Sequence, residues 1–93
     1  MVIGTCQVDL HLPESGSLKK KRQIVKRIKD RVKNRFNVSI AEVGDNELWQ
    51  RATLGISVVS NDKKFANQVL NQVVEHINQE NGVVVLDYSL EIF

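Results

Sequence analysis

Residues 2–35 read VIGTCQVDLHLPESGSLKKKRQIVKRIKDRVKNR, and the fold turns on a change of period inside this stretch. From Val2 to Leu12 the chain alternates. Val2, Gly4, Cys6, Val8, Leu10 and Leu12 fall on one side, and Ile3, Thr5, Gln7, Asp9 and His11 on the other. A period of two is a strand with one buried face. Pro13 cannot extend a ladder, and Glu14-Ser15-Gly16-Ser17 is loop chemistry. Ser17 can then accept a free backbone N–H as an N-cap. Behind it Leu18, Ile24, Val25, Ile28 and Val32 recur at helical spacing, which predicts an amphipathic helix from Leu18 to about Arg35.

The same segment carries the main charge anomaly. Residues 18–36 hold ten of the chain's 13 Lys and Arg residues against a single acid, Asp30. Their charge of +9 leaves −7 for the remainder of a chain whose net charge is +2. A helix start is the positive end of the macrodipole, so cations there cost roughly 0.3–1 kcal/mol each when poorly screened. This helix nevertheless opens Lys19-Lys20-Lys21-Arg22 and repeats like charges at i,i+4. Selection for stability alone would place acids in that first turn. Free N–H groups and cations together suit an anion, so Ser17, Lys19, Lys20, Lys21 and Arg22 form a candidate anion site. The outward cations Lys19, Lys20, Arg22, Lys26, Arg27, Lys29 and Lys33 form a candidate nucleic-acid surface. Lys21 and Arg31 lie beside the apolar stripe and could pair internally with acids instead.

Downstream, 37–43 reads as a strand with Val38 and Ile40 inward. Residues 44–50 form a turn region. A third strand follows, with Ala52, Leu54, Ile56 and Val58 inward. Ser60-Asn61-Asp62 can cap a second helix over 62–80, whose stripe is Phe65, Ala66, Val69, Leu70, Val73 and Ile77. Asn81-Gly82 is expected to end it in a left-handed C-cap. In the last strand Val84, Leu86, Tyr88, Leu90 and Ile92 alternate with Val85, Asp87, Ser89 and Glu91. The order β-α-β-β-α-β within 93 residues predicts one α+β domain over 1–93 of ferredoxin-like architecture. Its expected form is a four-stranded antiparallel sheet in order 4-1-3-2, with two helices on one face.

Several chemistries have little support. An RNA-recognition motif stacks bases on sheet aromatics. The expected open face has Thr5, Gln7, Asp9, Ser39, Ala41, Thr53, Gly55 and Ser57 instead. A phosphate-cradling first loop would need more glycine and an Arg. His11 to Ser17 has one Gly and no Arg, so no catalytic residue and no enzyme activity is expected. His11 and His76 lack ligand spacing, so neither a metal nor a cofactor is expected. Cys6, the sole cysteine, reads as a small core hydrophobe and fits a reducing cytoplasm. The first residues, Met1-Val2-Ile3-Gly4, do not read as a secretory signal. Glu42 interrupts an inward pattern, which points to an ion pair with a base such as Arg35 or Arg51. Trp49 is expected to cap one end of the core.

The run Ser17-Leu18-Lys19-Lys20-Lys21-Arg22, then Phe36-Asn37-Val38-Ser39-Ile40-Ala41-Glu42-Val43, then Trp49 and Ala52-Thr53-Leu54-Gly55, resembles the YlxP-like family of small bacterial proteins of unknown function. The resemblance covers nearly the whole chain. It implies a ferredoxin-like fold and carries no catalytic residues. Members look to be encoded near translation factors and ribosome-binding factor A, which implies a role in translation or ribosome assembly. The expectation is therefore a non-enzymatic, cytoplasmic RNA-binding accessory protein, with ribosomal RNA as partner. A membrane is disfavoured, because the helix spends its apolar face on the sheet. The alternative is a protein-interaction or self-assembling module whose basic helix meets an acidic partner. A homodimer through the open sheet face or an edge strand stays open beside either.

Overall fold

The structure, a computed structural model, describes residues 1–93. Its elements are β1 (Val2–His11), α1 (Leu18–Arg35), β2 (Ser39–Gly44), β3 (Arg51–Ser60), α2 (Lys63–Asn78) and β4 (Val84–Ile92). All pairings are antiparallel and the strand order is β2-β3-β1-β4, the expected 4-1-3-2 read from the other edge. β1 is central. It runs in unbroken register against β3 from Val2↔Ser60 to His11↔Arg51.

The period-two residues of β1 meet those of β3 inside: Cys6, Val8 and Leu10, with Leu12 just past the strand, against Ala52, Leu54, Ile56 and Val58. Ile24, Val25, Ile28 and Val32 of α1 join the same cluster, as do Ala66, Leu70, Val73, Val74 and Ile77 of α2. Burying such side chains is worth roughly 1.5–3 kcal/mol each, and this burial offsets the ordering entropy of a small domain. Gly4 lies where α2 and the sheet leave no room for a side chain. A Cβ there would lie 2.9 Å from Leu70 Cδ1 and 3.1 Å from Val58 Cγ1.

Four expectations need correction. In β4, the pairing jumps from Asp9↔Asp87 to Leu10↔Val85, so Leu86 is a bulge. The extra residue reverses the phase upstream. Val85 therefore packs on the core, whereas Val84 and Leu86 are exposed. Phe65 is not part of the α2 stripe; it is exposed at the helix start. α2 ends at Asn78 with Gln79 as cap, ahead of the expected Asn81-Gly82 stop. Gly82 does hold φ 77, but in the turn after the helix. Finally, Trp49 is 55% exposed in the β2–β3 connection and caps no core.

Candidate nucleic-acid interface

α1 begins as its sequence dictates. Ser17 is extended, and its Oγ accepts the Lys20 N–H at 3.1 Å. No acid lies in the first turn. Nine of the ten cations then divide into three groups with different partners, and Lys20 stands apart.

Lys21 is inside. It lies on the same helical face as Ile24, Val25 and Ile28, and its side chain is 1% exposed. Its Nζ sits 2.9 Å from Glu42 Oε2 and donates to the Asp45 carbonyl. Lys21 is therefore not available to an external anion, which removes it from the expected site. The reason is positional. Residue 21 falls within the buried arc of the helix, and its stem reaches across the core edge to β2. Glu42 is turned inward opposite Leu54, so the inward acid and the inward base answer each other. Its partner is neither Arg35 nor Arg51. Asp45 has φ 60, a left-handed value that Asp tolerates, and this turns its carbonyl toward Lys21.

A second group faces α2. Arg31 Nη1 donates to both Glu80 oxygens, at 3.1 and 3.3 Å. Arg27 Nε lies 3.7 Å from the same carboxylate, and its Nη2 donates to the Asn81 carbonyl at 2.9 Å. Glu80 is buried, and two guanidiniums plus the nearby His76 ring surround it. Arg27 thus serves the α1–α2 junction and is only partly free for a ligand. Arg35 stacks over the Phe36 ring at 5.8 Å.

The third group is Lys19, Arg22, Lys26, Lys29 and Lys33. Their spacing is three, four, three, four, so they form one row on the flank turned away from α2. Fourteen residues at 1.5 Å each give the row a length of about 21 Å. The only acid beside it is Asp30, which binds Lys26 at 2.8 Å in full solvent. That hydrogen bond raises the Lys26 pKa and lowers that of Asp30, which Lys33 and Lys29 also depress through space. Lys19, Arg22, Lys29 and Lys33 have no acidic partner. Lys20 is exposed and also unpaired, but it heads the α2-side flank.

The side of the sheet turned away from the core has the opposite charge. Asp9 lies across from Asp87 on that side, with Glu91 four residues further along. Thr53 Oγ1 donates to Asp9 at 3.1 Å and lies 3.4 Å from an Asp45 carboxylate oxygen, holding two carboxylates near one hydroxyl. Phe93, bonded to Ile3 at the sheet margin, is the single aromatic there. A shallow hollow of about 480 Å³ is lined by Thr5, Gln7, Ser39, Ala41, Gly55 and Ser57, none of them cationic. Like charge would repel a phosphate backbone from this surface.

The remaining sequence candidates sit apart. Cys6 is in the core, where burial pushes its thiol up to about 11. His11 Nδ1 is 3.2 Å from the Gln50 carbonyl, while His76 meets the Phe36 ring edge-on at 5.8 Å. No three His, Cys, Asp or Glu side chains are grouped to hold a metal ion. No helix is long and apolar enough to cross a membrane.

Sequence reasoning missed the role of Glu80 and named Glu42 as an ion-pair acid without finding its base. Glu80 collects two cations, and Glu42 holds a third. Neither partner could be assigned from spacing, because ten bases offer too many pairings. The row itself was visible in the three-four spacing.

Residues 3–90 match the family described as Protein of unknown function (DUF503). The chain is 40% identical over 77 residues to Uncharacterized protein YlxP of Bacillus subtilis (strain 168), covering 83% of this chain and 84% of that one. Among solved structures it is similar to the de novo designed protein Foldit4, with TM-score 0.54, 14% identity and coverage of 100% and 97%. It is also similar to the de novo designed protein LFR1 1 with ferredoxin fold, with TM-score 0.52, 16% identity and coverage of 100% and 84%. At these identities the structural likeness speaks for the ferredoxin-like fold.

Proposed function

We propose that this chain, which belongs to the DUF503 family, is a non-enzymatic RNA-binding accessory protein that docks on structured RNA through α1. The observation that carries the reading is the row Lys19, Arg22, Lys26, Lys29 and Lys33, unopposed except by Asp30. Its cations stand at a spacing that can follow a phosphate backbone, and phosphate contacts position a protein without reading sequence. The acidic sheet side supports the same orientation by turning RNA toward the helix. In this arrangement both helices cover one face of the sheet, and the cation row lies along the outer flank of the first. The implied setting is the cytoplasm, with ribosomal RNA as the natural first ligand.

A lipid surface is the weaker ligand. The apolar side of α1 is already committed to the core through Ile24, Val25, Ile28 and Val32, so no face remains to insert.

The test is binding to a ribosomal RNA fragment as a function of salt. If all five row cations engage phosphates, log K should fall against log salt with a slope of about −4.5 on a duplex and about −3.5 on a single strand. Arg22→Glu with Lys29→Glu should lower affinity and flatten the slope. An affinity that ignores salt, or that survives this double reversal, overturns the reading. Retention of a protein partner after nuclease treatment, with no RNA affinity, would transfer the row to an acidic protein.

A further inference from the structure

β4 leaves one edge of the sheet unpaired, and its hydrogen-bonding direction can be derived. The Ile3 N–H donates to the Phe93 carbonyl at 3.1 Å, and the Phe93 N–H donates back at 2.8 Å. Residues that exchange both bonds recur at every second position of an antiparallel ladder. Glu91, Ser89 and Asp87, opposite Thr5, Gln7 and Asp9, therefore turn their backbone groups toward β1. Tyr88, Leu90 and Ile92 turn theirs outward to the free edge, where the Tyr88 N–H donates to the Asp87 carboxylate at 2.9 Å in the single chain and would exchange that bond for one to the second copy. Their side chains lie on the core side of the sheet, where Leu90 and Ile92 are partly buried and Tyr88 is 46% exposed. The Leu86 bulge bounds this regular segment at Asp87.

We infer that this edge pairs with the same edge of a second copy of the chain, forming a weak antiparallel dimer centred on Leu90. The inference is independent of RNA binding. A two-fold interface requires a self-complementary patch, and the segment is one. Leu90 would oppose Leu90 of the second copy, and Tyr88 would oppose Ile92 in both directions. Each of these three pairs joins residues with outward N–H and C=O groups, so each exchanges two bonds. On the other side of the sheet Glu91 falls opposite Ser89, and Asp87 opposite Phe93. No side-chain carboxylate directly faces another.

The other edge fits a second copy poorly. β2 is six residues long and its register shifts between Glu42 and Gly44. α1 packs against β2, so pairing two β2 edges would bring two cation-rich helices together. β4 is the strand furthest from β2 in the sheet. Exposed edges of this kind carry a lysine, a proline, a bulge or a cover when pairing is avoided, and the one bulge here, Leu86, lies outside the regular segment. Between Asp87 and Phe93 there is neither lysine nor proline.

One short strand pair buries little area, so dissociation constants in the micromolar range or weaker are expected. Sedimentation velocity on nuclease-treated protein, from about 10 μM to about 1 mM, reads this directly. Wild-type protein should shift from monomer to dimer. Tyr88→Lys places a charge against Ile92 of the second copy, and Tyr88→Pro removes one outward N–H without touching the β1 ladder. Each should raise the dissociation constant about tenfold or more, that is by about 1.4 kcal/mol. Circular dichroism checks that both fold, and Tyr88→Lys keeps the test alive if the proline variant does not. Val59→Lys on the outward sheet face and Ala41→Lys on β2 should leave association unchanged. A monomer throughout the range overturns the inference. So does a dimer that ignores both Tyr88 variants, or one lost on Val59→Lys or Ala41→Lys.

Discussion

Lys21 separates structure from function within a single run of four bases. It is chemically the same as its neighbours Lys19 and Lys20, yet it is 1% exposed and bonded to Glu42. Removing one partner of such a pair leaves an uncompensated charge. Lys21→Met should cost about 3 kcal/mol, the low end of the usual range, because Glu42 keeps 16% of its exposure. The double variant Lys21→Met with Glu42→Leu should recover most of that loss. Denaturant midpoints of the three proteins check both statements. Cys6 supplies a pH dependence. Its folded pKa is raised from 9.0 to about 11. The unfolded chain therefore releases this proton first as pH rises. The contribution is intact below pH 9.0 and is lost between there and about 11, by about 2–3 kcal/mol. Cys6→Val should remove that part of the alkaline slope, as read by urea titrations at pH 8 and about 11.

At the scale of an element, α1 sets stability against binding. Its first turn carries three lysines and no acid, against its own dipole. Lys20→Glu would complete a Ser-x-x-Glu capping box with Ser17, and Lys19→Glu would reverse a second unfavourable charge. Together they should stabilise the protein by about 1 kcal/mol, seen as a higher thermal midpoint, while RNA affinity falls. A protein that gains stability and keeps its affinity would show that the helix start plays no part in binding. Element types were legible because each strand alternates and each helix repeats. The two bulges were not. Val84 to Ile92 stays in an apolar alternation straight through Leu86, so the jump in pairing leaves no mark on the pattern. In β2 the inward Glu42 was a visible anomaly, but its partner was hidden among ten bases.

At the scale of the whole molecule, opposite charges are segregated between elements. The cation row lies along one flank of α1, while Asp9, Asp87 and Glu91 lie on the sheet side turned from the core. Variants of that surface, such as Thr5→Ala and Gln7→Ala, should leave RNA affinity unchanged in the titration that detects Arg22→Glu. The global charge segregation could be read from the sequence, since +9 in one helix forces −7 elsewhere. What could not be read was which cations the fold keeps for itself. That depended on Glu80, held at the α1–α2 junction by two arginines, and on Glu42.

The enclosure of Lys21 also bears on chemical access. The chain has eight lysines, and amine-reactive reagents attack only the unprotonated, solvated amine. Seven are exposed or partly exposed and should acylate within the same short interval. Lys21 must wait until the contact between α1 and the Asp45 turn opens. Its labelling rate, followed by mass spectrometry of the peptide spanning residue 21, would therefore time the breathing of that one junction. The other lysines serve as an internal clock for reagent strength.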